Sequence, residues 1–89
     1  MLERLGAKAL KEIIMYRFLI IIEKGKNNFS AYSPDLPGCV ATGKTREQVE
    51  QNMFEAIQMH ISGLKEDGLP IPQSHSFSEY LAVPELAIS

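Results

Sequence analysis

The chain has 89 residues, 45% hydrophobic and 22% charged, which provides for one domain with one modest core. Nine Lys and Arg against eleven Asp and Glu leave a net charge of −2, which excludes a general electrostatic attraction for nucleic-acid phosphates. The single cysteine, Cys39, excludes an internal disulfide and fits a reducing cytoplasm, while no apolar run spans a bilayer, no signal-peptide core opens the chain and no internal repeat is found.

Residues 1–14 have two readings. Leu2, Leu5, Ala9 and Ile13 recur at helical spacing, which describes an amphipathic helix weakened by Gly6. In the other reading Met15 is the true start. The first strand follows it directly, and Lys11-Glu12 is encodable by a purine-rich ribosome-binding sequence just upstream. Residues 1–14 are then an over-extended reading frame, and one domain occupies residues 15–89.

The stretch Tyr16–Glu23 is β-branched and aromatic and predicts a strand. Phe18, Ile20 and Ile22 point one way, Leu19 and Ile21 the other, so both faces are apolar and both need cover. A helix covers one. The other calls for the N-terminal segment, a second subunit or a different protein. Lys24-Gly25-Lys26-Asn27-Asn28 is a turn, and Phe29–Ser33 returns beside the first strand as a hairpin.

Pro34 and Pro37 stop that ladder because neither donates a backbone hydrogen bond, and Asp35 and Gly38 supply turn chemistry. Cys39–Thr42 then resumes as a short third strand. The loop between reads either as a rigid connector or as a pre-shaped surface for a partner, with Tyr32 and Leu36 as its anchors. Cys39 reads as a small buried hydrophobe rather than a nucleophile, since neither histidine is near it in sequence.

Thr45-Arg46-Glu47-Gln48 has the capping-box pattern, with Thr45 at the N-cap and Gln48 three residues on. Val49, Met53, Ala56, Ile57, His60, Ile61 and Leu64 follow at steps of three and four. Gly68 reads as the C-terminal cap, and Pro70 and Pro72 forbid continuation. His60 lies on the apolar stripe as a core-edge residue with no metal-ligand companions at suitable spacing, and Met53 and Met59 are gap fillers. After the helix, Ser78–Val83 predicts a last strand, ended by Pro84 and returning parallel to the first. The acidic residues Glu23, Asp35, Glu47, Glu50 and Glu55 make no convergent set for two-metal phosphoryl chemistry. No catalytic residue, metal or cofactor is therefore expected.

Several of these segments, taken in order, resemble the HicB-like antitoxin family. They are the first strand, Phe29-Ser30-Ala31-Tyr32, Pro34-Asp35-Leu36-Pro37-Gly38-Cys39, the Gly43-x-Thr45 helix start, Asn52-x-x-Glu55-Ala56-Ile57 and Gly68-Leu69-Pro70-Ile71-Pro72. The resemblance runs from about Met15 to Val83. It implies an α+β fold, a βββαβ reduced RNase H-like domain. In it an antiparallel three-stranded sheet carries one long helix on one face and a final short strand. It also implies a cytoplasmic partner, the HicA toxin, a messenger-RNA ribonuclease whose active site the antitoxin covers. Homo-oligomers, dimers or tetramers, are common in the family. Fuller members add a C-terminal DNA-binding segment. This chain ends six residues after Val83, so direct DNA binding is not expected of it.

The expected function is thus a toxin-neutralising binding module, not an enzyme. Tyr32, Asp35, Leu36 and Glu47 are its candidate toxin contacts, and Pro34, Asp35, Pro37, Gly38, Thr45 and Gln48 form its structural motif. The alternative is a stand-alone oligomeric domain that binds another protein or a small ligand without a toxin.

Overall fold

The hairpin forms around the turn that the sequence marks. In the computed structural model, which describes residues 13–87, β1 (Ile21–Lys24) and β2 (Phe29–Tyr32) pair antiparallel from Ile21↔Tyr32 to Lys24↔Phe29. The Gly25 N–H closes the turn on the Asn28 carbonyl at 2.7 Å. β3 (Val40–Gly43) adds antiparallel to β2, with Tyr32↔Val40 and Phe29↔Gly43 as the end pairs. The sheet order is β1-β2-β3. The expectations for residues 1–12 lie outside the described residues.

β1 is shorter than the apolar run that announced it. The ladder ends at Ile21↔Tyr32 because its partner ends there. Beyond Tyr32 the chain enters the Ser33–Cys39 loop, where Pro34 has no N–H to offer. Residues 16–20 therefore extend past the sheet without a strand partner.

The long helix, α1 (Arg46–Glu66), has both ends set by local chemistry. Thr45 holds an extended backbone, and its hydroxyl accepts the Gln48 N–H at 3.0 Å. The Gln48 side chain reaches back to the Lys44 N–H, one residue before the cap. At the other end Gly68 takes a φ of 69°, the Leu69 N–H bonds the Leu64 carbonyl and the Gly68 N–H bonds the Lys65 carbonyl. That pair of bonds is a Schellman motif, which only a residue tolerant of positive φ closes cheaply. Thr45→Ala is expected to cost about 1 kcal/mol, read as a lower urea midpoint at unchanged slope.

α1 covers one face of the sheet. Ile22, Ala31 and Ala41 are register partners on that face, with Phe29 beside them, and they meet Val49 and Met53 from the helix. The fully buried centre is Ala31, Leu36, Cys39, Val49 and Met53. Ile57, on the same helical stripe, is only half-buried and packs at the margin. The helix therefore anchors the core through its first two turns. The Asn52 amide ties it to β3 by donating to the Thr42 carbonyl at 2.8 Å.

The expected last strand, Ser78–Val83, does not form: residues 69–87 carry no regular secondary structure. The segment does come to the outer edge of β1, where Ser78, Glu79 and Tyr80 line a groove with Ile20, Ile21 and Ile22. It makes no ladder there. Tyr80, Leu81 and Val83 lie almost entirely in solvent, so no side-chain burial stabilises pairing at that edge.

Candidate functional site

Between β2 and β3 the loop is two successive turns. The Leu36 N–H bonds the Ser33 carbonyl at 3.2 Å, and the Cys39 N–H bonds the Leu36 carbonyl at 3.0 Å. Each turn has a proline at its second position, Pro34 in one and Pro37 in the other, where a φ near −65° is wanted. In the second turn Gly38 follows with a φ of 84°, the type II pattern. The double turn swings Leu36 under the loop, where it is 0% exposed and the largest of the fully buried side chains. Cys39 is buried beside it, and burial pushes its thiol up from its ordinary value, away from the reactive thiolate. The Ser33 hydroxyl is also buried and has no hydrogen-bond partner.

Asp35 stands on the outside of the first turn and holds the chain that follows the helix. Its carboxylate accepts from the Ser74 hydroxyl at 3.3 Å, the His75 N–H at 3.2 Å, the Ser76 N–H at 3.1 Å and the Ser76 hydroxyl at 3.0 Å. Desolvation raises this carboxyl, but the bonds from Ser76, His75 and Ser74 together outweigh it and hold it below the ordinary 3.8. Four donors converging on one carboxylate make a clamp, which pins residues 74–76 to the loop. The sign for pH follows from the lowered value: the folded form favours the charged carboxylate, so the clamp is at full strength above about pH 3.8 and is lost as pH falls through the depressed folded value. The Ser76 amide is expected to lose its downfield NMR position and its exchange protection in that acid window. Asp35→Ala is expected to produce the same change at neutral pH.

On the sheet face turned away from α1, Ile21, Tyr32 and Val40 form one cross-strand row, since they are register partners of opposite parity to Ile22, Ala31 and Ala41. Tyr32 is 41% exposed and Val40 63% exposed. The row leads directly into the double turn, so Tyr32, Asp35 and Leu36 gather at one end of the sheet. Within that end their situations differ. Tyr32 is open to a partner, Asp35 is engaged by the chain after the helix, and Leu36 supports the loop from beneath. Glu47 stands apart. It is exposed in the first turn of α1, which follows Gly43, and Gly43 pairs with Phe29 at the opposite end of β2. There its charge complements the helix dipole. Val40 was not among the expected contacts. Only the register with Tyr32 brings it to this face.

Among the described residues no three His, Cys, Asp or Glu side chains gather as a metal-holding group. No helix among them is long and apolar enough to cross a membrane.

Comparisons with known proteins agree with the fold. Residues 18–88 match the family model described as HicB_like antitoxin of bacterial toxin-antitoxin system. An uncharacterised 14.9 kDa protein of Haemophilus phage HP1 is 38% identical over 74% of this chain and 50% of its own length. A UPF0150 protein of Synechocystis is 30% identical over 78% of this chain and 89% of its own length. Among solved structures, a chain of a HicA3 and HicB3 toxin-antitoxin complex superposes with a TM-score of 0.55 at 36% identity, over 62% of this chain and 64% of that one. The chain thus spans half the length of the phage relative and under two thirds of the solved chain. An α+β domain of three antiparallel strands and one long helix, matched by the family model from Phe18 onward, belongs to the HicB-like antitoxin family of bacterial toxin–antitoxin systems.

Proposed function

We propose that this chain is the toxin-binding domain of a toxin–antitoxin pair and neutralises a HicA-like messenger-RNA ribonuclease by covering its active surface. The observation that carries this reading is the likeness, at 36% identity, to a chain from a HicA3 and HicB3 toxin-antitoxin complex. Docking uses the sheet end described above. Tyr32 and Val40 supply an apolar contact, the Pro34–Cys39 double turn supplies a rigid rim, and Leu36 keeps that rim in shape from below. Rigidity favours binding because little conformational entropy remains to be lost. An RNA-cutting surface is basic, so a chain with a net charge of −2 is weakly steered toward it. Asp35 and Glu47 contribute to that field, Asp35 mainly by holding the chain after the helix in place. The domain acts in the cytoplasm and performs no chemistry of its own.

The test is a pull-down and an RNA-cleavage assay with a small basic HicA-like ribonuclease. The wild-type chain is expected to bind it and suppress cleavage. Tyr32→Asp places a charge in the apolar row and is expected to weaken the complex at least about 30-fold, a loss of about 2 kcal/mol typical of an interface hot spot. No association between the wild-type proteins would overturn the proposal.

A further inference from the structure

A polar cleft lies at the hairpin-turn end of the sheet, where Phe29 pairs with Gly43, opposite the end that carries Tyr32 and Val40. It has a volume of about 680 Å³ and is walled by the β1–β2 turn, the end of β3 and the first turns of α1. Apart from Gly43 every residue lining it is polar, and none is a carboxylate. Lys26 comes from the turn and Lys44 from the position after β3.

Existing contacts orient the amides of this cleft. Gln48 commits its Oε1 to the Lys44 N–H at 2.6 Å, so its Nε2 is the part left to meet a ligand. Asn28 turns its Oδ1 in over Gly25, 3.3 Å from where a Cβ there would stand, which leaves Nδ2 as its outward group. Asn52 is the reverse case. Its Nδ2 donates to the Thr42 carbonyl at 2.8 Å, and its Oδ1 remains as an acceptor. Two ammonium groups and two amide donors therefore stand around a space that also offers a fixed acceptor. The N–H groups of the helix are not needed for this set: the Thr45 hydroxyl takes the Gln48 N–H and the Thr45 carbonyl takes the Val49 N–H.

Such a set fits an anion that also carries a hydroxyl. We propose that the cleft binds the sugar–phosphate backbone of single-stranded RNA. A phosphate lies among Lys26, Lys44, Asn28 and Gln48, and a ribose 2′-hydroxyl donates to the Asn52 Oδ1. The bases are not read, because no aromatic or apolar side chain lines the cleft for them to stack on. Lys26, Asn28, Lys44 and Gln48 are all exposed, so a continuous strand crosses the cleft without threading. The attraction is local. Lys24 and Arg46 stand at the same end, but Glu79 shares their groove and Glu50 pairs with Arg46 at 3.5 Å. Glu23 and Glu47 flank the site in sequence and lie outside its lining. Directed bonds, not the field of a chain with a net charge of −2, hold the strand. The cleft and the Tyr32–Val40 row lie at opposite ends of β2, so this inference does not rest on the antitoxin reading.

The test is fluorescence anisotropy of a labelled oligouridylate titrated with the full chain, without toxin, at about 50 mM salt. The wild type is expected to bind it, and to bind the matched oligodeoxyuridylate at least about 5-fold more weakly. Lys26→Gln combined with Lys44→Gln is expected to weaken RNA binding at least about 10-fold and to make the slope of log K against log salt shallower by about 1.4, the loss of two phosphate contacts. Gln48→Glu keeps an acceptor for the Lys44 N–H, and with it the helix start, but replaces the amide donor with a negative charge. It is expected to weaken binding by at least about 10-fold with unchanged circular dichroism. Arg17→Gln combined with Lys65→Gln removes the same charge from a cleft at the other end of α1 and is expected to leave binding within about 2-fold. No binding by the wild type would overturn the proposal, as would equal losses in the two double variants or no loss in Gln48→Glu. Equal binding of the DNA strand, or of an oligoglutamate of the same charge, would also overturn it. So would full displacement of the RNA by inorganic phosphate at an equal concentration of phosphate groups, which would assign the cleft to a free anion.

Discussion

Leu36→Ala is expected to lower the unfolding free energy by about 2–5 kcal/mol, a large share of the 5–15 kcal/mol that a domain possesses. Leu36 is 0% exposed and belongs to the same buried cluster as Ala31, Cys39, Val49 and Met53. Truncation removes several buried carbons and leaves a void beneath a loop whose two turns resist collapse into it. The bonds to the Ser33 and Leu36 carbonyls fix the backbone, and Pro34 and Pro37 restrict its dihedrals. The cost therefore lies toward the upper part of the range. Urea unfolding followed by circular dichroism reads it as a fall in midpoint. Leu36→Met, which conserves volume, is the control and should cost less than about 1.5 kcal/mol. A loss below about 1 kcal/mol for the alanine variant would show that the loop is attached to the core and not part of it. The expectation has a functional corollary: the double turn is the proposed rim of the docking surface, so Leu36→Ala should also weaken toxin binding, although Leu36 itself is 0% exposed.

Gly43→Ala is expected to destabilise the domain by about 3 kcal/mol, the upper end of what overpacking costs, and to lower Tm by at least about 10 °C. A Cβ at Gly43 would lie 2.6 Å from the Val49 nitrogen, 2.9 Å from its Cα and 3.0 Å from the Gln48 carbonyl carbon. All three atoms are helix backbone, so no rotamer change relieves the clash. The first turn of α1 must move off β3. That motion lifts Val49 from the core and strains the Asn52 bond to the Thr42 carbonyl. Gly63→Ala gives the opposite sign. Nothing lies within 4 Å of the added carbon there, so the higher helix propensity of alanine should stabilise α1 by about 0.5–1 kcal/mol. Equal effects of the two substitutions in thermal melts would show that the close approach of β3 and α1 does not limit the fold.

The elements legible in the sequence are those whose cause is local. The hairpin follows from two β-rich runs about a Gly-Lys-Asn-Asn turn, and the helix start from Thr45 and Gln48 three residues apart. Legibility declined with distance along the chain. The apolar run beginning at Tyr16 has the composition of a strand throughout, but only its last part pairs, because the length of a ladder belongs to both strands and β2 ends at Tyr32. Ile57 and Met53 are indistinguishable on the helical stripe. Their unequal burial is decided by where β2 and β3 lie beneath α1. Ser78–Val83 has strand propensity, yet that propensity takes effect only where neighbours cover the side chains, and here they do not. Among the candidate contacts, Tyr32 is at the surface and Leu36 is inside. Residue type alone ranks the two as equivalent anchors.

By itself the sequence determined that the ladder stops at Pro34 and turns through Asp35 and Gly38, the caps of the helix and the two-faced apolar character of the first strand. Each is settled by steric and hydrogen-bonding preferences among residues only a few positions apart. Tertiary structure alone decided that Asp35 would bind Ser74, His75 and Ser76, 39–41 residues away, and that Gly43 would admit no side chain. It alone decided as well that Tyr32 and Val40 would share a face. These depend on the β2–β3 register, on the path of the chain after the helix and on packing α1 against the sheet, which bring distant groups together in a way that no local preference encodes.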